Sequence, residues 1–216
     1  MAIIFNKQKE QKAYSWKDKF MDEPCFILGS SPSLNDFSLD KLSEFLTIGI
    51  NRTFLKIETS VLMWQDIDVY LENKDRIKNL NSFLYSSKNA DPNNIANDHF
   101  KVIYGEFKQS FEPGTYYGSG STIPIAFQHA CVMGCSPIII LGYDCLYRNG
   151  ITNFYGNNKR HNDKTLENCN RGLSWIKKVS VDKKVMILNS KEELDNIVSS
   201  LNKQKNILKR LKEQHV

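Results

Sequence analysis

The chain has 216 residues, 41% of them hydrophobic and 25% charged, with a formal net charge of +5 at pH 7. That length and balance describe one medium domain able to bury a substantial core, and no run approaches the roughly 20 apolar residues of a membrane span. The start, Met1-Ala2-Ile3-Ile4-Phe5-Asn6-Lys7, lacks the apolar core and cleavage site of a secretory leader, and the five cysteines lack metal-type spacing, so free thiols and a cytoplasmic location are expected.

The lysines are thickest from Lys203 to Lys212, which reads as a solvated helix face. No aromatic–basic stripe accompanies them, so no nucleic-acid partner is expected. A modest positive field also suits an anionic nucleotide.

Residues 1–22 form a polar lead-in with Tyr14, Trp16 and Phe20, and are expected to give a helix on the domain edge. Cys25-Phe26-Ile27-Leu28 is too short for a helix and reads as a buried parallel strand. It runs into Gly29-Ser30-Ser31-Pro32-Ser33, which fits two readings. Bare N–H groups and hydroxyls at a strand end make an anion cradle, whereas an ordinary strand–turn would use the same residues with a serine capping the next helix.

Leu39, Leu42 and Phe45 stand at helical spacing behind Ser38, a candidate cap. Residues 46–50 make a second strand ending at Asn51-Arg52, and residues 61–65 a third ending at Asp66-Ile67-Asp68. A charged helix to about residue 79 and a strand at 82–85 follow. Residues 88–101 read as a long surface loop, with a short strand at 101–104. Gly118-Ser119-Gly120-Ser121-Thr122 opens a helix to about residue 133. Pro137-Ile138-Ile139-Ile140-Leu141-Gly142-Tyr143-Asp144 is the clearest strand, and a polar, aromatic loop continues to about 164. A helix at 165–180, a strand at 184–188 and an amphipathic helix from 191 complete the chain.

Alternation of apolar strands with helices predicts an α/β fold: a Rossmann-like, mostly parallel sheet with helices on both faces. The expected organisation is a lead-in at 1–22, a nucleotide-binding α/β domain at 23–190 and a C-terminal helix at 191–216. Ile197, Leu201, Ile207 and Leu211 give that helix an apolar side for packing on the domain or on a second copy of the chain. In such folds ligands sit at the carboxyl ends of the strands. That rule gathers residues 29–33, Asn51, Arg52, Asp66, Asp68, residues 142–144, Asn189, Ser190 and residues 118–122 on one rim. Each alone is an ordinary turn or cap residue; together they suit a phosphate and a sugar.

The order Gly29-Ser-Ser-Pro-Ser-Leu34, Gly49-Ile-Asn51-Arg52, Gly118-Ser-Gly-Ser121, Ile140-Leu-Gly-Tyr-Asp144 and Asn149-Gly150 resembles the bacterial family-42 sialyltransferases and the related DUF115-type proteins. That wider group includes archaeal hydroxymethylpterin pyrophosphokinases and flagellin glycosylation factors. The resemblance spans about residues 24–190. It implies that Gly29, Ser30, Ser31, Ser33 and Asn51 hold a nucleotide, with Ser119 or Ser121 and Asp144 beside its base or sugar. It also implies that Tyr147 and Tyr155 stabilise the leaving phosphate and that His161 is the general base. Ser31 stands where the family's first motif has its second glycine, and the spacing from Tyr147 to His161 differs from the family's.

The activity implied is transfer of a sugar, sialic acid or a related keto-sugar, from a CMP-sugar to an acceptor hydroxyl without a required cofactor. Two alternatives stay open. One is a Mg·ATP-dependent pyrophosphokinase of the hydroxymethylpterin type, in which Asp66 and Asp68 would hold Mg²⁺. The other is a non-catalytic nucleotide-binding protein. Of the remaining histidines, His129 falls inside a predicted helix and reads as structural, while His99 and His215 read as solvated. Cys25, Cys131, Cys135, Cys145 and Cys169 read as small core residues.

Overall fold

The structure, a computed structural model, describes residues 12–105, 112–118, 120–156, 162–180 and 184–214, without the side chains of residues 13, 14 and 207–214. Its centre is an eight-stranded sheet in which every pairing between strands is parallel. The strands are β1 (Cys25–Leu28), β2 (Leu46–Ile50), β3 (Val61–Trp64), β4 (Phe83–Ser87), β5 (Asp98–Tyr104), β6 (Thr115–Gly118), β7 (Ile138–Leu141) and β8 (Val185–Ile187). Their spatial order is β6-β5-β4-β3-β2-β1-β7-β8. The chain therefore walks outward from β1 to β6 and returns to β1's other side with β7. β1 and β7 flank the point where the order reverses, and a crevice opens beyond their carboxyl ends.

Both faces of the sheet are covered, as the continuous apolar strands require. Alternate residues send Cys25, Ile27, Ile48, Val61, Met63, Phe83, Tyr85, Ile138 and Ile140 to one face. There they meet helix α2 (Ile123–Val132) and the apolar stripe of α3 (Asp163–Val179), including Trp175 and Ile176. On the opposite face Phe26, Leu28, Ile139 and Leu141 pack against Leu194, Val198 and Leu201 of α4 (Lys191–Gln214). Leu62, Trp64 and Leu84 are covered by Val69 and Ile77 of α1 (Ile67–Lys78). The first half of the C-terminal helix is thus part of the core; the side chains of Ile207 and Leu211 lie outside the described residues. No helix among the described residues is long and apolar enough to cross a membrane.

Several local expectations differ from the structure. Residues 38–45 hold only a short 3₁₀ turn (Leu39–Leu42), and Ser38 makes no capping hydrogen bond. A spacing of three fits a 3₁₀ turn as well as an α-helix, because side chains at i and i+3 line up in both. The lead-in gives a 3₁₀ turn (Ala13–Trp16) whose Trp16 is fully buried in the main core. The segment after residue 88 is not simply a surface loop. Buried Asp91 accepts hydrogen bonds from Ile95 N and Ala96 N at 3.0 and 2.8 Å and lies 3.1 Å from His99 Nε2, so His99 is paired. β5 starts at Asp98, and β6 is a strand that the sequence pattern did not suggest.

Candidate functional site

The crevice beyond β1, β2 and β7 contains about 680 Å³ of empty space, part of it open to solvent. Ser30, Ser31, Asn51, Arg52 and Gly142 come from the strand ends, and Gly120, Ser121 and Thr122 from the start of α2. Thr165, Leu166 and Cys169 of α3 and Thr152, Asn153 and Tyr155 of the loop after β7 close the other side. The cleft is therefore built where the topology reverses, from segments more than a hundred positions apart.

The two central loops are sewn to each other. Gly29 N donates to Leu141 O at 2.8 Å and Ser31 N to Gly142 O at 3.0 Å. Ser33 N donates to Asp144 Oδ2 at 3.0 Å, the Ser33 hydroxyl donates to Asp144 Oδ1, and Asp144 N donates to Ser31 Oγ at 3.1 Å. The N–H groups of Gly29, Ser31 and Ser33 thus already have partners within the protein. Gly29 and Ser33 sit behind the cleft lining, whereas Ser30 and Ser31 face it. Gly29 earns its place by close approach of main chains, since a Cβ there would collide with the carbonyl of Gly142. The loop after β7 is in turn held over β1's loop: Phe154 N donates to Ser30 O at 2.9 Å, and Asn35 Nδ2 donates to Phe154 O at 3.2 Å. Arg148 pairs with Asp36 on the same side.

The β2 side is different. Asn51 adopts a left-handed backbone, φ 49°, which asparagine tolerates better than most residues. Its Nδ2 lies 3.2 Å from Asp66 Oδ2 and 3.3 Å from Thr122 Oγ1, joining the starts of α1 and α2. Its Oδ1 is buried and has no hydrogen-bond partner among the described residues. A buried acceptor left in that condition costs about 1–3 kcal/mol, a penalty that a ligand donor would remove. Arg52 is only 8% exposed. Its Nη2 and Nε lie 2.5 and 3.2 Å from Glu72 Oε2, and its guanidinium sits 5.4 Å from the centre of the Tyr155 ring. Burial works against the charged form, but the Glu72 hydrogen bond and charge, with Tyr155, outweigh it and hold the pKa above its ordinary value. Arg52 is the single cation among the described residues lining the cleft.

The α2 start adds polar groups without any acidic residue in its first turn. Its N-terminal end carries partial positive charge into the cleft. Ser121 is buried, and Tyr143 Oη lies 3.3 Å from Ser121 Oγ while donating to Cys169 O at 2.8 Å. Burial pushes the Tyr143 phenol's pKa well up, so it stays a neutral donor.

Of the residues singled out from sequence, the cleft lining gathers Ser30, Ser31, Asn51, Ser121, Tyr155 and Asp66. Gly29, Ser33 and Asp144 form the seam beneath them. Tyr147 is 42% exposed on the outer part of the loop and is not in the lining. Asp68 sits in the first turn of α1. Ser119 and His161 lie outside the described residues. His161 directly precedes Asn162, which caps α3 through a capping box with Thr165. Among the described residues no group of three or more His, Cys, Asp or Glu is gathered as a metal site.

Sequence reasoning missed Thr152, Asn153, Thr165, Cys145 and Cys169 as lining residues. Thr152 and Asn153 are 7% and 1% exposed. Nothing in their local sequence distinguishes them from the polar residues around them. Comparison with protein-family models, curated protein sequences and solved structures gave no match to this chain.

Proposed function

We propose that the cleft binds a nucleotide and that the protein transfers a sugar from a nucleotide-activated donor, a CMP-sugar by resemblance, to an acceptor hydroxyl. The observation that carries this reading is that the unfilled Asn51 acceptor and the Arg52 cation stand side by side at the end of β2 in one cleft lining, which the start of α2 also enters. A ligand suited to those groups offers N–H or O–H donors at one end and an anion within reach of the other, as a nucleotide does. Ser30, Ser31 and Ser121 add hydroxyls beside it.

In this reading Tyr155, helped by Tyr147 from the outer part of the same loop, donates hydrogen bonds to the departing phosphate. Preplaced donors of that kind are the largest catalytic contribution such a site supplies. His161 takes the acceptor's proton; an ordinary imidazole titrates near 6.5, which suits a base at neutral pH. Gly29, Ser33 and Asp144 act from beneath by fixing the loop that carries Ser30 and Ser31.

The test is a thermal-shift panel of CMP, UDP, GDP, ADP and ATP, each with and without Mg²⁺, because a ligand that binds only the folded chain raises its apparent stability. A shift with CMP in the absence of metal supports the transferase. His161→Ala should then keep that shift while losing at least about 100-fold in transfer rate, measured with a CMP-sugar and a hydroxyl acceptor. A shift confined to Mg·ATP favours the pyrophosphokinase, for which the position of Asp66 in the cleft lining is the supporting observation. No shift with any nucleotide contradicts both.

A further inference from the structure

Two thiols stand in the wall of the cleft on different elements, Cys145 in the loop after β7 and Cys169 on α3. The chain holds them together from both sides. Tyr143 Oη donates to Cys169 O at 2.8 Å, and Asn170 Nδ2 donates to Cys145 O at 3.2 Å. Each cysteine's main chain is thus tied to a residue adjoining, or two positions from, the other cysteine, and the Cys145 thiol donates to Tyr143 O at 3.7 Å. Cys145 is nearly buried, whereas Cys169 is partly exposed on the cleft.

We propose that Cys145 and Cys169 form a dithiol modification site, which a low-molecular-weight disulfide converts to an intramolecular disulfide across the cleft wall. Cys169 is the attacking sulfur. The neighbouring Cys145 side chain lowers its pKa, with burial opposing, while the Cys169 side chain and burial push the Cys145 thiol up. The Cys169 thiolate attacks one sulfur of the reagent, forming a mixed disulfide and releasing one thiolate. Cys145 then loses its proton to water and attacks Cys169 Sγ, forming the internal bond and expelling the second thiolate. Two protein thiols are oxidised by two electrons, and one small disulfide is reduced to two thiols. Cys145 never has to meet the reagent, so its burial is no obstacle.

The other cysteines offer a built-in contrast. Cys25 and Cys135 are buried, and burial first, then the contact with Cys135, raises the Cys25 pKa well above the usual thiol range. The test treats the reduced full-length chain with glutathione disulfide, quenches with acid, alkylates, and maps the peptides by mass spectrometry. The expected result is loss of two hydrogens, no retained glutathione, and a linkage between the peptides carrying Cys145 and Cys169. Cys145→Ser should instead retain glutathione on Cys169. A linkage among Cys25, Cys131 and Cys135, or full alkylation of Cys145 and Cys169 after treatment, overturns the proposal. So does a Cys145→Ser chain that carries its adduct elsewhere. The wild-type map alone decides if the variant does not fold.

Discussion

The two sides of the cleft use the same kinds of residue to opposite ends. On the β1–β7 side, Ser31, Ser33 and Asp144 satisfy one another, and the N–H groups of Gly29, Ser31 and Ser33 are already bonded. On the β2–α2 side, Asn51 keeps a buried acceptor without a partner among the described residues, while Arg52, paired on one side with Glu72, brings a buried cation to the lining. The difference teaches that small polar residues at a strand end are ambiguous until their partners are known. A complete set of internal bonds makes a seam; an incomplete one makes a surface with capacity for a ligand.

Breaking the seam should give the largest effect. Gly29→Ala forces apart two main chains that touch, and overpacking of this kind costs about 3 kcal/mol or more when backbone is what must move. Urea unfolding measures it; a loss below 1 kcal/mol would mean the two loops are not locked. Next, Asp144→Ala strands the Ser33 N–H and hydroxyl in a part-buried position, at a cost of about 2 kcal/mol in the same assay. An unchanged midpoint would show that water replaces the carboxylate freely.

An unpartnered group in the closed core gives the contrasting case. His129 is fully buried in α2, with Nδ1 2.7 Å from the Tyr116 hydroxyl and Nε2 without a partner among the described residues. Burial lowers its pKa to about 3. The unfolded chain binds a proton there below about pH 6.5 while the folded chain does not. This contribution is therefore intact above pH 6.5 and is lost as pH falls toward 3, by about 1.4 kcal/mol per pH unit. His129→Gln should flatten the stability profile over that window, as read by denaturant midpoints at pH 4 to 7. An equally steep profile would place the effect on carboxylates instead. The open acceptor of Asn51 should respond to ligand, and the buried imidazole of His129 only to protons.

Much of the sheet was legible because β1, β2 and β7 are short apolar runs that stop at Gly or Asn. β6 was not, because its Thr115-Tyr116-Tyr117-Gly118 ends in the glycine–serine run that reads as a helix start. The site was half legible. The rule that ligands gather at strand ends located Ser30, Ser31, Asn51 and Ser121 correctly on one rim. It could not reveal that Ser33 bonds a carboxylate 111 positions away, because that pairing depends on β7 lying beside β1. Nor could it show that Cys145 and Cys169, which look like small core residues, both stand in the cleft wall.

The most direct test of the central claim is a calorimetric titration of CMP, without metal, into the wild-type chain, Arg52→Gln and Ser33→Ala. The account predicts saturable binding to the wild type and a loss of at least about tenfold in affinity for Arg52→Gln, since a hydrogen bond to a charged group contributes about 1.5–3 kcal/mol. Ser33→Ala should bind within about threefold of wild type, because its hydroxyl faces Asp144 rather than the cleft. Loss of binding in Ser33→Ala with none in Arg52→Gln would reverse the roles assigned to the two sides. No binding to the wild type would contradict the nucleotide site itself.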